Sequence, residues 1–263
     1  MTLRSEPCFR ELGEAVRSFA EGRRIVEIVN TGNWGDALIH AGQAQFFRDN
    51  GIEPWRFSIF HLRGMPRPKL FVLSKILARR AVVTGNGAFR EFYSRPKDIS
   101  EVARNFSRVF IMPSSFPLMP NFDLSKTELW RRDCSESLSL VPQAKFCHDM
   151  AFYLNPSPRH PTKETGLFFR TDVEKDDFEI PQGNCDLSAK GTHSSDYQAF
   201  LNRVGEYEVI YTNRLHVGIA GALLNREVHL FGSRTNKVRS IFDSSLKPFY
   251  SNIHYHAEPP KFS

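Results

Sequence analysis

The chain has 263 residues, 41% hydrophobic and 24% charged, enough for one large domain or two small ones with a substantial core. Its net charge of +6 forms no contiguous block, which excludes a basic arm for nucleic acid and suits an anionic small substrate or an acidic membrane surface. Four scattered cysteines without a Cys-x-x-Cys pair exclude a cysteine zinc site, and no apolar run approaches the ~20 residues that span a bilayer, so a reduced, cytoplasmic protein is expected, at most peripheral to the inner face of the membrane.

The first segment, MTLRSEPCFRELGEAVRSF, is charged and helical in pattern, unlike a signal peptide. RIVEIVN (24–30) reads as a strand, TGNWGD as a turn and ALIHAGQAQFFRDNG as a helix ending at Gly51. WRFSIF (55–60) is a second strand, KLFVLSKILARR a helix, and AVVTGNGAF (81–89) a strand entering a glycine turn. ISEVARNFS is helical, RVFIMPSS (108–115) and ELWRRD are strands, ESLSLVPQA is a short helix, and KFCHDMAFYL (145–154) contains a last strand. NPSPRHPTKET (155–165), with three prolines and no apolar side chain besides, reads as a linker. Beyond it come the strand GLFFRTD, the helix SSDYQAFLNRVGEY, the strand EVIYTN, a small-residue helix, the strand EVHLFG and the helix NKVRSIFDSSL. The tail NIHYHAEPPKFS, with His254 and His256, reads as exposed. The 23 phenylalanines suit an aromatic core better than a membrane-facing patch. Repeated strand–helix alternation predicts an α/β fold with two Rossmann-like domains, residues 1–154 and a small second one at 166–263 joined by 155–165.

Unusual polar residues collect at predicted strand ends, where open α/β sheets bind ligands. Gly32 and Gly35 permit tight turns before a helix, but the pattern is neither a dinucleotide fingerprint nor a phosphate loop. Asp36 there is either an N-cap or a group that binds or deprotonates a sugar hydroxyl. Trp34 and Trp55 can stack on a sugar or pack in a core, and Cys147-His148-Asp149 lacks metal spacing. Arg170 and Arg214 close corresponding strands of one domain; singly each suits a sheet edge, and together two guanidinium forks suit a ligand with two anionic groups. His216 falls in the first turn of the helix after Arg214, where it either packs or donates a proton to a bound dianion. Lys237 opens the last helix, as a solvated residue or a third cation.

NTGNWGDALI, TGNGAF, FFRTDVE, TNRLHVGIAGALL and the later Lys237 together resemble the polysaccharide pyruvyl transferases, in that family's order over roughly residues 25 to 240. The resemblance implies a glycosyltransferase-B-like pair of domains facing across a cleft. It implies transfer of the enolpyruvyl carbons of phosphoenolpyruvate onto two hydroxyls of one sugar, giving a pyruvate ketal. Arg170, Arg214, Leu215 and Lys237 fall on phosphoenolpyruvate-binding positions, His216 on the general acid, and Asp36 on a second catalytic group. Asn33, Trp34 and Asn86 become candidates for the acceptor, a glycan or lipid-linked oligosaccharide. No cofactor or metal is required. The sequence departs from the family at Gly85-Asn86-Gly87, at Asn225-Arg226-Glu227 and in its short second domain. Two rivals stand beside this reading: a nucleotide-sugar glycosyltransferase of the same architecture, and a non-catalytic anion- or glycan-binding protein.

Overall fold

The computed structural model describes residues 3–87, 89, 95–118, 122–157, 159–172, 175 and 178–258. The chain is α/β, and it divides into two compact units. One comprises residues 5–31 and 42–150; the other comprises residues 1–4, 32–41 and 151–263.

The first unit begins with α1 (Pro7–Ala20), whose buried Phe9, Leu12, Val16 and Phe19 recur at helical spacing. Six strands follow: β1 (Val26–Val29), β2 (Trp55–Ser58), β3 (Arg80–Val83), β4 (Arg108–Ser114), β5 (Thr127–Arg131) and β6 (Lys145–Phe146). All pair in parallel, in the order β2-β1-β3-β4-β5-β6. The central strands are runs of Val, Ile, Phe and Met because both faces of a parallel sheet are covered. Glu27 is the exception, buried within β1; it pairs with Arg56 at 2.6 Å and accepts from Gln43 at 2.9 Å. Burial pushes the Glu27 carboxyl above its ordinary range despite these partners. The connecting helices are α2 (Asp36–Asp49), of which residues 42–49 belong to this unit, α3 (Ile59–Arg63), α4 (Arg67–Phe71), α5 (Arg95–Ala103) and α6 (Glu136–Leu140).

Two predicted strands are shorter than expected. WRFSIF leaves the sheet after Ser58, whose hydroxyl accepts from the His61 N–H at 3.1 Å and caps α3. KFCHDMAFYL pairs only over β6, since Asp149 turns away into a fully buried ion pair with Arg132 and a 3-10 helix follows at Met150–Tyr153. The segment KLFVLSKILARR is α4 continued by a π-helical stretch, Val72–Leu77.

The second unit holds β7 (Lys163–Phe168), α7 (Tyr197–Gly205), β8 (Tyr207–Thr212), α8 (Leu215–Leu223), β9 (Glu227–Phe231), α9 (Lys237–Ile241) and β10 (Ile253–His256). Its four strands are parallel in the order β10-β9-β8-β7. β7 takes in the last three residues of the proline-rich stretch 155–165. β10 corrects the expectation of an exposed tail in part: His254 is exposed as expected, but the segment is a strand. Ile253 is buried, Tyr255 pairs with Leu230, and the His256 ring stacks on Phe231 at 4.8 Å. Histidines disguised the strand: their rings pack like aromatic residues here, and His229 Nδ1 lies 2.9 Å from His256 Nε2. α8 is buried at every residue from Leu215 to Ala222. Glycine brings it close to β9, because a Cβ on Gly221 would lie 2.5 Å from Val228 Cγ2. No helix among the described residues is long and apolar enough to cross a membrane.

Candidate functional site

The parallel register of β7 and β8 sets Phe168 level with Thr212, so Arg170 and Arg214 leave the sheet as neighbours. The connection is tied by side chains. The Thr212 hydroxyl donates to Phe168 O at 2.7 Å and accepts from the Arg214 N–H at 2.9 Å, and Asn213 Oδ1 accepts from the Arg170 N–H at 2.8 Å. Both arginine side chains are buried. Two carboxylates meet them. Arg214 grips Asp186 by a fork, Nε to Oδ1 at 2.8 Å and Nη2 to Oδ2 at 2.5 Å, and reaches Asp172 Oδ2 through Nη1 at 2.8 Å. Arg170 holds Asp172 by a second fork, Nε to Oδ1 at 2.9 Å and Nη2 to Oδ2 at 3.2 Å.

Among the described residues, two guanidiniums face two carboxylates in this cluster. Burial alone would lower the Arg214 pKa, but Asp186 and then Asp172 outweigh it and raise it. Burial likewise works to raise the Asp186 pKa, yet Arg214, with the N–H and hydroxyl of Thr171, holds the carboxyl below its ordinary range. The two carboxylates differ in access, with the Asp172 side chain 39% exposed and that of Asp186 6% exposed.

The glycine turn belongs to the same unit. Asn33 Oδ1 accepts from the Gly35 N–H at 2.9 Å, and Asp36 Oδ2 accepts from the Asn33 N–H at 2.8 Å. Both bonds close the turn ahead of α2, so Asp36, the first residue of that helix, accepts from the turn rather than from an amide of its own helix. A Cβ on Gly32 would fall 1.9 Å from Asp36 Oδ2, which explains the first glycine. The second glycine faces His216: a Cβ on Gly35 would lie 2.9 Å from both His216 Cβ and His216 Nδ1. The structure thus brings the turn and the start of α8 together, with Arg214 at the N-cap of α8 and His216 buried in its first turn.

The other sequence candidates are placed as follows. Leu215 is the first residue of α8 and is buried. Trp34 packs within the unit, its Nε1–H donating to Asp196 O at 2.9 Å and its ring meeting Phe200 edge-on at 5.6 Å. Lys237 opens α9 beyond β9, the strand beside β8, and is half-buried. Asn86 lies in the first unit, buried past β3, where its N–H donates to Ser114 Oγ at 3.1 Å and its Nδ2 to Thr84 O at 3.1 Å. Ala88 of the TGNGAF motif and Val173 and Glu174 of FFRTDVE lie outside the described residues. Among the described residues no three His, Cys, Asp or Glu side chains are grouped to hold a metal ion.

Sequence reasoning assigned no role to Asp172, Asp186 or His193. His193 donates its N–H to Gly32 O at 3.1 Å, and its ring stands edge-on to His40 at 5.3 Å. Asp172 carried a faint signal, two residues after Arg170 at a strand exit. Asp186 sits in an irregular polar stretch without periodicity and carried none.

No family model and no curated protein matches the chain. The solved structure of an uncharacterized protein from Klebsiella pneumoniae is similar, with a TM-score of 0.78 at 22% identity over 96% of this chain and 100% of that one. At that identity the likeness shows the fold alone. A periplasmic sugar-binding protein from Pseudomonas fluorescens aligns at a TM-score of 0.29 and 13% identity over 80% of this chain and 68% of that one, a score that carries no argument.

Proposed function

We propose that the chain is a pyruvyl ketal transferase that moves the enolpyruvyl carbons of phosphoenolpyruvate onto two hydroxyls of a glycan or lipid-linked sugar. The observation that carries this reading is the meeting of the Gly32–Asp36 turn with His216, beside two arginines that share one carboxylate. Phosphoenolpyruvate bears a carboxylate and a phosphate on one carbon, and two adjacent guanidinium forks complement that pair. The carboxylates already on both guanidiniums set a condition: an anionic ligand must displace one of them. Asp172 is the exchangeable one, being exposed and held mainly by Arg170, whereas Asp186 is buried and anchors Arg214. Arg170 is then the principal ligand of the substrate, and Arg214 is oriented for its share by Asp186.

In this scheme His216 gives a proton to C3 of phosphoenolpyruvate, and C2 becomes cationic. One sugar hydroxyl attacks C2 and its proton returns to His216. The C2–O bond to phosphate breaks, phosphate leaves with the proton of the second hydroxyl, and that oxygen closes the ketal. A placed acid contributes about 10²–10⁴-fold in rate. Asp36 is bound to the Asn33 N–H and serves to hold the turn against His216. Asn33 and Trp34 line the turn on the acceptor side of this reading. The two-domain, glycosyltransferase-B-like architecture belongs to the same proposal.

Saturation of Arg214 by carboxylates favours a second reading, in which the cluster is a structural ion network in a non-catalytic member of the fold. Thermal unfolding with ligands separates the readings. Ketal transfer predicts a rise in Tm with phosphoenolpyruvate that Arg170→Ala abolishes. A rise with nucleotide sugars alone, or with neither ligand, overturns it.

A further inference from the structure

Residues 59–80 read IFHLRGMPRPKLFVLSKILARR, with six Lys or Arg and no Asp or Glu. The rest of the chain therefore sums to zero charge, and the whole basic excess resides in this stretch of the first unit. Apart from Arg79-Arg80 the cations are separated by uncharged residues, so no long block of like charge marks them in the sequence. The stretch forms α3, α4 and the π-helical turn Val72–Leu77. Ile59, Leu62 and Leu73 anchor it in the core. Phe60, Phe71, Val72, Ile76 and Leu77 instead face outward, between 42% and 65% exposed. A shallow apolar groove beside them is lined by Phe57, Met65, Pro68, Val72 and Leu77. Arg63 and Arg80 are paired with Asp98 at 2.8 Å and Glu21 at 2.7 Å. Arg67, Lys69, Lys75 and Arg79 are exposed and form no ion pair with another described residue.

We propose that this face docks on an anionic lipid surface, with Phe60, Phe71 and Ile76 entering the headgroup–acyl boundary and the four exposed cations meeting lipid phosphates. Large apolar side chains ringed by Lys and Arg are the composition of an interfacial helix. Charge selects the occupant. A second copy of the chain would set like cations against each other, whereas an anionic bilayer complements them and attracts each by about fivefold in partition. The inference stands apart from ketal transfer, because none of these residues belongs to the unit that holds the arginine cluster.

The test is co-sedimentation of the full chain with phosphatidylcholine vesicles, with and without about 30% phosphatidylglycerol, at low and high salt. The chain should sediment with anionic vesicles, remain free with neutral ones, and be released by salt. Phe71→Asp/Ile76→Asp and Lys69→Glu/Lys75→Glu should each lower binding by about twentyfold or more while circular dichroism stays that of the parent. Sedimentation with neither composition, equal binding to both, or variants that bind as the parent does would overturn the proposal. So would a dimer in light scattering that Phe71→Asp/Ile76→Asp dissolves without any vesicle binding.

Discussion

Asp186→Ala removes the acceptor of four hydrogen bonds: from Arg214 Nε at 2.8 Å, Arg214 Nη2 at 2.5 Å, Thr171 N at 2.8 Å and Thr171 Oγ1 at 3.0 Å. Arg214 then remains buried, 5% exposed, with Asp172 alone through Nη1. Deleting one partner of a buried pair costs about 3–5 kcal/mol, because the other charge stays desolvated. Asp172→Ala should cost less than Asp186→Ala, since the Asp172 side chain is 39% exposed and water can take its place on the guanidiniums. Urea unfolding followed by tryptophan fluorescence measures both, and Trp34 reports from the same unit. At about 1–3 kcal/mol per molar urea, the Asp186→Ala midpoint should fall by about 1 M or more. Because the folded-state pKa of Asp186 is lowered, its contribution is full above about pH 4 and is lost as pH falls through the folded value. Asp186→Asn should therefore flatten the acid limb of the stability profile. An Asp186→Ala variant within about 1 kcal/mol of the parent, or one less affected than Asp172→Ala, would refute this account of the cluster.

Asp172→Ala should also tighten phosphoenolpyruvate binding, measured by calorimetry, because the ligand no longer displaces a counter-ion; weaker binding would contradict the exchange model. Gly35→Ala forces a Cβ to 2.9 Å from His216, so it should cost about 1–3 kcal/mol in unfolding and lower turnover more than ligand affinity. In the first unit, Cys8 is held down to about pKa 5, chiefly by the Cys147 side chain, with His148 also lowering it against the effect of burial. Its alkylation by iodoacetamide, followed by mass spectrometry, should be nearly independent of pH from about 6 to 9, while Cys147, buried and raised, stays unmodified. A Cys8 rate climbing through pH 8 to 9 would contradict that environment.

Periodicity and composition made the alternating fold legible, since β3 and β4 are largely apolar runs and β1 and β8 carry β-branched and aromatic residues between turns. The ends of elements were not. Ser58 caps a helix inside an apolar run, and Asp149 leaves the sheet for Arg132, 17 residues earlier in sequence. β10 was hidden because His254 and His256 look polar in sequence yet His256 stacks in the sheet. At the candidate site, Arg170, Arg214 and His216 were visible by their place after strands. Their partners were not, because Asp186 reaches Arg214 across 28 residues through contacts that no local pattern encodes. The glycine turn was legible as a turn, but the bonds by which Asn33 and Asp36 close it, and its approach to His216, depend on the folded unit.

The most direct measurement is acceptor-dependent phosphate release from phosphoenolpyruvate, with free and lipid-linked galactose, glucose, mannose and N-acetylmannosamine as acceptors. The account predicts release with at least one acceptor, and a loss of about 10²-fold or more in His216→Ala while phosphoenolpyruvate still binds. Absence of release with every acceptor, or a His216→Ala variant that turns over like the parent, would contradict it.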